Sequence, residues 1–407
     1  MRLLDGNKIR IARSELARDI NRRIVLNLVR KNQPISRADL SRQSGLQRST
    51  VSIIIDELIA QNLIVEGGFN EQLPRGRKPI FLHLNSQRLG VIGINVRPQV
   101  TNMALSDLDG NFLLQESFPT PADSAQFVDR VGARILELVK RFNHLAIEGV
   151  GVSLPGRVDV QSQRLVFAPN LGWRLEDLKE RLESITGFAV ELENEANVCA
   201  LAEYWFGKQA SGVNNLIAVA VSEGIGVGMV LNGQLVRGPA GLAGEFGHVA
   251  IANGGPRCAC GNHGCWEVYA SNSAALRWYR ENRKASDGSS GESAMDELPV
   301  TADFDDLLSL AEHGNPEASQ AIEKMAHHLG EGLAMLVTGL APDVIVVVGE
   351  VTRAWEQVGP IIQKVIQQRS FTHAATRIVA SGPAPLPRLR GIIALVLQKR
   401  FGAPVYS

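Results

Sequence analysis

The spacing of apolar residues changes character near residue 85. Upstream they recur at helical intervals, and three helical patterns fill roughly 8–61. The first carries Ile20, Ile24 and Leu28 on one face. The second starts from Ser36, whose hydroxyl suits an N-cap, and runs through Ala38, Leu40 and Arg42. Gly45 turns the chain into the third, where Val51, Ile54, Ile55 and Leu58 line one side. Two short apolar runs follow, Leu63 to Val65 and Ile80 to Leu82, split by a polar loop that signals a hairpin. From about residue 89 the pattern becomes that of buried strands: Leu89–Val96, Gly149–Ser153, Leu216–Val221 and Val344–Val348 alternate with helical stretches. The apolar stretch at 332–349 is broken by Pro342 and Asp343, so it reads as helix then strand, not a membrane span. Asn315 and Pro316 mark another helix start. Residues 281–302 are polar and Ser/Gly-rich, which predicts an exposed loop or a partly disordered insertion.

Charge sharpens this division. The chain of 407 residues is long enough for two or three domains, and its formal net charge is zero. Residues 1–84, however, hold 15 Lys and Arg against 8 Asp and Glu, leaving 27 against 34 for the remainder. A basic head on an acidic body calls for a polyanionic partner for the head alone. The N-terminus lacks the apolar core of a signal peptide, and three of the four cysteines crowd into 258–265. Clustered cysteines indicate metal binding in a reducing compartment, so the expected location is the cytoplasm, without membrane insertion.

The stretch 36–68 has helix–turn–helix spacing. With Val51 and Leu58 locking the third helix onto the second, Gln47, Arg48, Ser49 and Ser52 are left near its start, where base edges and phosphates lie. Arg30, Lys31, Arg37 and Arg42 are candidates to hold the phosphate backbone. Arg75, Arg77 and Lys78 fall in the wing, stiffened by Pro74 and Pro79, and suit a narrow minor groove. A merely structural three-helix domain would need neither this wing nor the charge excess. Ile53 has two readings, contact with a thymine methyl or packing against the first helix, and the sequence leaves both open.

The most specific chemistry lies at 244–267. Cys258, Cys260 and Cys265, with His248 ten residues before the first, form a Cys3His set suited to one tetrahedral Zn2+ per chain. Gly261 and Gly264 permit the tight turns of a metal knuckle. Four protein ligands leave no open position, so the metal is expected to be structural. His263 is an alternative to His248 as fourth ligand. Cys199, far away in sequence, reads as a small buried helix residue.

These residues together resemble the ROK family, which unites sugar kinases with sugar-responsive repressors. The resemblance covers nearly the whole chain and rests on the Cys-x-Cys-Gly-x-x-Gly-Cys loop that follows Gly-Glu-Phe-Gly-His. It implies an α/β, two-lobed actin-like ATPase (sugar kinase-like) domain, preceded by an all-α winged helix-turn-helix domain with a small β wing. The implied boundaries are 1–84 for the head, 85–200 for the first lobe and 201–387 for the second, with a C-terminal helix at about 388–402 returning to the first lobe. A sugar pocket would draw on Asn170, Asn194, Glu195, Glu245, His248 and Glu267, with Pro155 and Gly156 lining the same cleft. Carboxylates and amides suit hydroxyls, which both donate and accept. Asn194 and Glu195 also read as a plain helix start. His248 is implied to face zinc with one ring nitrogen and sugar with the other.

The phosphate side departs from the family. Where its kinases read Asp-x-Gly-Gly-Thr, this chain has Asn95-Val96-Arg97-Pro98-Gln99, in which Pro98 has no N–H to donate. Where a second loop reads Gly-Thr-Gly-Ile-Gly, Ser222 and Glu223 precede Gly224, and Glu350 replaces a glycine near the adenosine. Glu195 stands for the usual Asp base, and its longer arm displaces the carboxylate. The expectation is a sugar-responsive regulator, by family habit a repressor, that binds operator DNA as a homodimer or homotetramer and neither uses ATP nor phosphorylates its sugar. The alternative is a ROK-type sugar kinase with an appended DNA-binding domain.

Overall fold

The computed structural model describes residues 14–67, 80–159, 162–168, 171–173, 177–210, 212–286, 298–299, 302–370, 375–382 and 387–401. Its first element, α1 (Ser14–Asn32), leads through β1 (Ile35–Ser36) into α2 (Arg37–Ser44) and α3 (Arg48–Ala60). Ser36 caps α2 by accepting from the Asp39 N–H, and Gly45 ends that helix at φ +72°, a conformation that glycine adopts without strain. β2 (Ile64–Glu66) and β3 (Phe81–Leu84) pair antiparallel, with β1 on the far side of β3. Residues 68–79 between them, with Arg75, Arg77 and Lys78, lie outside the described residues.

One expectation for α1 needs correction. Its fully buried residues are Val25, Leu26 and Val29, while Ile24 is 40% exposed. Periodicity marks a single stripe, but α1 is covered from two directions. Its core is continuous with Leu89, Val91 and Leu108 and with Ile393, Val396 and Leu397 near the C-terminus. The head is therefore fused to the body by shared apolar burial.

Beyond the head, one strand order occurs twice. The first sheet combines β4 (Leu89–Val96), β5 (Val100–Ser106), β6 (Phe112–Pro119), β7 (Ala146–Leu154) and β10 (Val190–Asn194), in the order β10-β7-β4-β5-β6. α4 (Ser124–Arg141) and α5 (Leu178–Thr186) accompany it, with a small hairpin of β8 (Arg157–Asp159) and β9 (Arg164–Phe167). The linking helix α6 spans Glu195–Phe206. The second sheet, β13-β12-β11-β14-β15, is built from β11 (Leu216–Val221), β12 (Ile225–Leu231), β13 (Gln234–Leu235), β14 (Val344–Val348) and β15 (Arg377–Ala380). In both, the first three strands form an antiparallel meander and the last two add in parallel. α7 (Glu267–Ala270), α8 (Asn272–Ser286), α9 (Phe304–Glu312), α10 (Pro316–Leu340) and α11 (Trp355–Arg369) complete the second lobe, and α12 (Pro387–Phe401) ends the described chain. α8 carries residues 281–286 as helix, so the loop expected from 281 does not begin there. Residues 287–297 lie outside the described residues. Asn315 caps α10 through the Ala318 N–H, with Pro316 in its first turn.

α6 and α12 pack together between the sheets, α12 against the first and α6 against the second. Small residues make this possible. A Cβ at Gly391 would fall 1.7 Å from the Val198 carbonyl oxygen, and one at Gly228 would fall 2.2 Å from that of Ala196. Among the described residues no helix is long and apolar enough to cross a membrane.

Candidate functional site

β10 runs directly into α6. Asn194 caps α6: its Oδ1 accepts from the Ala196 N–H (2.8 Å), while its Nδ2 donates to the Gly156 carbonyl (2.6 Å). Glu195 occupies the first turn, where the helix dipole favours a carboxylate, and its Oε2 lies 3.3 Å from Arg388 Nε. The helix-start reading of these residues thus holds. Asn170 lies outside the described residues.

Glu193, one residue earlier, escaped the sequence reading. It is buried, and its Oε1 accepts from the Asn194 N–H (3.0 Å) and Asn197 Nδ2 (2.9 Å). Its Oε2 accepts from Arg237 Nε (2.7 Å), which follows β13 in the other lobe. A carboxylate on a strand pattern was the available signal, but its partner is 44 residues away.

Arg237 opens the turn that leads to Glu245–His248, a single 3-10 turn. Here His248 faces two ways. Its Nδ1 lies 3.6 Å from Cys258 Sγ and 3.4 Å from Glu267 Oε1, and its Nε2 lies 3.8 Å from Glu245 Oε2. The donor atoms of His248, Cys258, Cys260 and Cys265 all lie within 4.8 Å of one another. Cys260 and Cys265 sulfurs are 3.7 Å apart, close to the edge of about 3.8 Å expected for tetrahedral zinc–thiolate bonds. The donor set therefore fits a metal ion. Burial and the neighbouring Glu267 push the Cys258 thiol up, burial also raises Cys265, and the backbone at Asn262 lowers Cys260. His263 is turned instead to the Gly255 carbonyl (3.2 Å) and is outside the donor cluster.

The loop is anchored by Trp266, fully buried, whose Nε1 donates to the His328 carbonyl (2.9 Å). Glu267 then starts α7; its Oε1 accepts from Cys258 Sγ (3.0 Å). Trp173 is likewise a core residue, donating to the Ala122 carbonyl (3.0 Å) against Phe127. Cys199 is fully buried on α6, and burial pushes its thiol up to about 12.

On the phosphate side the chain pairs with itself. Arg97, in the β4–β5 turn, meets Glu223, in the β11–β12 turn, at 3.1 Å. Asn272 Nδ2 donates to Glu350 Oε2 (3.0 Å). Burial opposes the Arg388 charge, yet Glu195, Cys199, Glu350 and Glu223 together hold its guanidinium above the ordinary value.

In the head, Gln47, Arg48 and Ser49 are exposed and Ser52 is half-buried. Arg37 turns inward: it donates to the Ser52 carbonyl (3.2 Å), Asp56 (2.8 Å) and Glu66 (2.8 Å), pinning α2, α3 and β2 together. Arg42 pairs with Asp39. Arg30 is also turned inward, with its guanidinium 4.1 Å above the Trp205 ring at the end of α6. Burial pulls it down to about 10. Gln33 adds a hydrogen bond to Asp109 (2.9 Å) in the β5–β6 turn.

Residues 91–399 match the ROK family, and residues 18–65 match a winged helix-turn-helix DNA-binding family. The chain is 32% identical to the xylose repressor of Bacillus subtilis, over 83% of each protein. It is 28% identical to the DNA-binding transcriptional dual regulator NagC of Escherichia coli, over 92% of this chain and 91% of that one. A solved ROK family transcriptional regulator, a homolog of the E. coli MLC protein, is similar with a TM-score of 0.82 and 26% identity, over 95% of this chain and 98% of that one. A ROK family glucokinase from Streptomyces griseus, in complex with glucose and AMPPNP, is similar with a TM-score of 0.66 and 28% identity, over 76% of this chain and 99% of its own. The paired α/β lobes, the Cys3His knuckle and a family match running from the first strand of the body to its last helix lead to one assignment: the chain belongs to the ROK family.

Proposed function

We infer that this protein is a sugar-responsive DNA-binding transcriptional regulator, acting as a repressor, and not an enzyme. The observation that carries the reading is a winged helix-turn-helix head joined through one continuous core to a kinase-like cleft whose phosphate turns are tied to each other. A relative named as a xylose repressor and one named as a DNA-binding transcriptional dual regulator support it. The sugar would lie against Asn170, Asn194, Glu195, Glu245, His248 and Glu267. Zn2+, held by His248, Cys258, Cys260 and Cys265, would supply structural bracing, orienting the His248 ring so that Nε2 faces the cleft beside Glu245. Gln47, Arg48, Ser49 and Ser52 would meet the major groove and Arg75, Arg77 and Lys78 the minor groove, with Arg37 setting the helix that reads. Division at residues 84 and 200, a homodimer or homotetramer, and a cytoplasmic location complete the proposal.

The cleft and the head share two helices. α6 begins at Asn194 and Glu195 and ends at Trp205, under Arg30 of α1; α12 carries Arg388 beside Glu195 and Ile393, Val396 and Leu397 in the head's core. A shift of this pair on sugar binding would carry the head with it and change the spacing of two heads across an operator. The sugar must favour the arrangement that fits DNA less well, with a coupling of about 1–3 kcal/mol.

A gel-shift assay with the DNA upstream of the protein's own gene, repeated with D-xylose, N-acetylglucosamine, D-glucose and a wider sugar panel, tests this reading. Sequence-selective binding that one sugar weakens about 5–150-fold is the expected result. Equal affinity for random DNA, unmoved by any sugar, would overturn it.

A further inference from the structure

The sequence left Ile53 with two possible places, and the structure removes one of them. On α3, Val51, Ile54, Ile55 and Leu58 are buried in the head. Ser49, Ile53 and Asp56 form the opposite, exposed stripe at i, i+4 and i+7. Ile53 is 57% exposed, the highest value among the exposed large apolar side chains described, so it does not pack against α1.

The charges around it are arranged for a polyanion. α3 carries two acidic residues, Asp56 and Glu57, and both are neutralised from neighbouring elements: Asp56 by Arg37, which also holds Glu66, and Glu57 by Arg18. Arg48, by contrast, has no ion-pair partner among the described residues. The start of α3 therefore presents one free guanidinium, the Gln47 amide, the Ser49 hydroxyl, the unpaired N–H groups of a helix terminus and a single branched apolar side chain. In the major groove thymine alone offers a methyl group, and only an apolar contact can recognise it.

We propose that Ile53 is a specificity-determining residue that reads a thymine C5-methyl in each operator half-site. The proposal rests on the DNA-binding reading above and adds to it one base identity and the atom recognised.

The test needs no knowledge of the sugar. Sequences are selected from a random duplex pool with the full-length protein and with Ile53→Ala, whose exposed position leaves the fold intact. Each thymine of the selected half-site is then replaced by uracil, which removes only the methyl. For the wild-type protein, uracil at one position per half-site should weaken binding about 4-fold, as expected for one buried methyl. Ile53→Ala should bind the thymine and uracil duplexes equally, with an unchanged melting temperature. If a sequence is selected but no uracil substitution matters, or if Ile53→Ala keeps the same methyl sensitivity, the proposal fails while the DNA-binding reading stands. If no sequence is selected at all, both fail.

Discussion

Among the described residues, Arg237–Glu193 and Arg97–Glu223 cross between the lobes, and they are unequal. Arg237–Glu193, beside the sugar side of the cleft, is buried: the side chains are 24% and 5% exposed. Arg97–Glu223, on the phosphate side, leaves Glu223 73% exposed. The first positions the backbone of Asn194 and the turn that carries Glu245 and His248. The second links the β4–β5 turn to the β11–β12 turn. Within one repeated topology, one interlobe pair belongs to a desolvated polar network that holds geometry. The other pair joins two turn side chains that meet largely in solvent. Burial decides what each pair contributes, since a desolvated pair broken on one side leaves a stranded charge whereas an exposed pair is largely replaced by water.

The largest effect is expected at the Cys3His cluster. Cys260→Ser should abolish stoichiometric metal binding, measured by elemental analysis, and destabilise the second lobe by on the order of 3 kcal/mol or more, since structural zinc contributes roughly 10 kcal/mol in small metal-dependent domains. Sugar response should fall with it; full response in a metal-free variant would remove His248 from the pocket. Next in size, Arg237→Ala should cost about 3 kcal/mol by denaturant unfolding, because Glu193 is left buried without its cation. The matching change across the cleft, Arg97→Ala, should cost less than about 1 kcal/mol. Equal costs would show that the two sides are not differently built. A comparably small effect concerns the head. Arg30→Ala removes the contact with Trp205, worth about 0.5–2 kcal/mol, and should reduce the sugar-induced change in operator affinity more than operator affinity itself. An unchanged sugar response would sever α6 from the transmission proposed above.

Local chemistry was readable without coordinates. Ser36, Gly45, Asn315 and Pro316 act within a few residues of themselves, so the caps and turns they predict are the ones observed. The Cys3His cluster was legible because its ligands span only 18 positions and its chemistry is exclusive. Asymmetric burial was harder to read. The stripe expected on α1 missed by one residue because a second surface, the α12 end, covers the same helix. Trp173 and Trp266 neighbour residues read as pocket, and their own rings are buried in the core. Arg30 and Arg37 counted toward a basic head, and only their partners reveal that both point inward.

By itself the sequence determined the division into a basic helical head and an α/β body and the Cys3His cluster that could hold a metal. Each of these depends on residue identity and short spacing. Tertiary structure alone decided that the body repeats one strand order, that Glu193 and Arg237 meet across 44 residues, that head and first lobe share a core, and that Ile53 faces outward. These are outcomes of pairing and burial between distant segments, where the free energy depends on what lies opposite a residue and not on the residue itself.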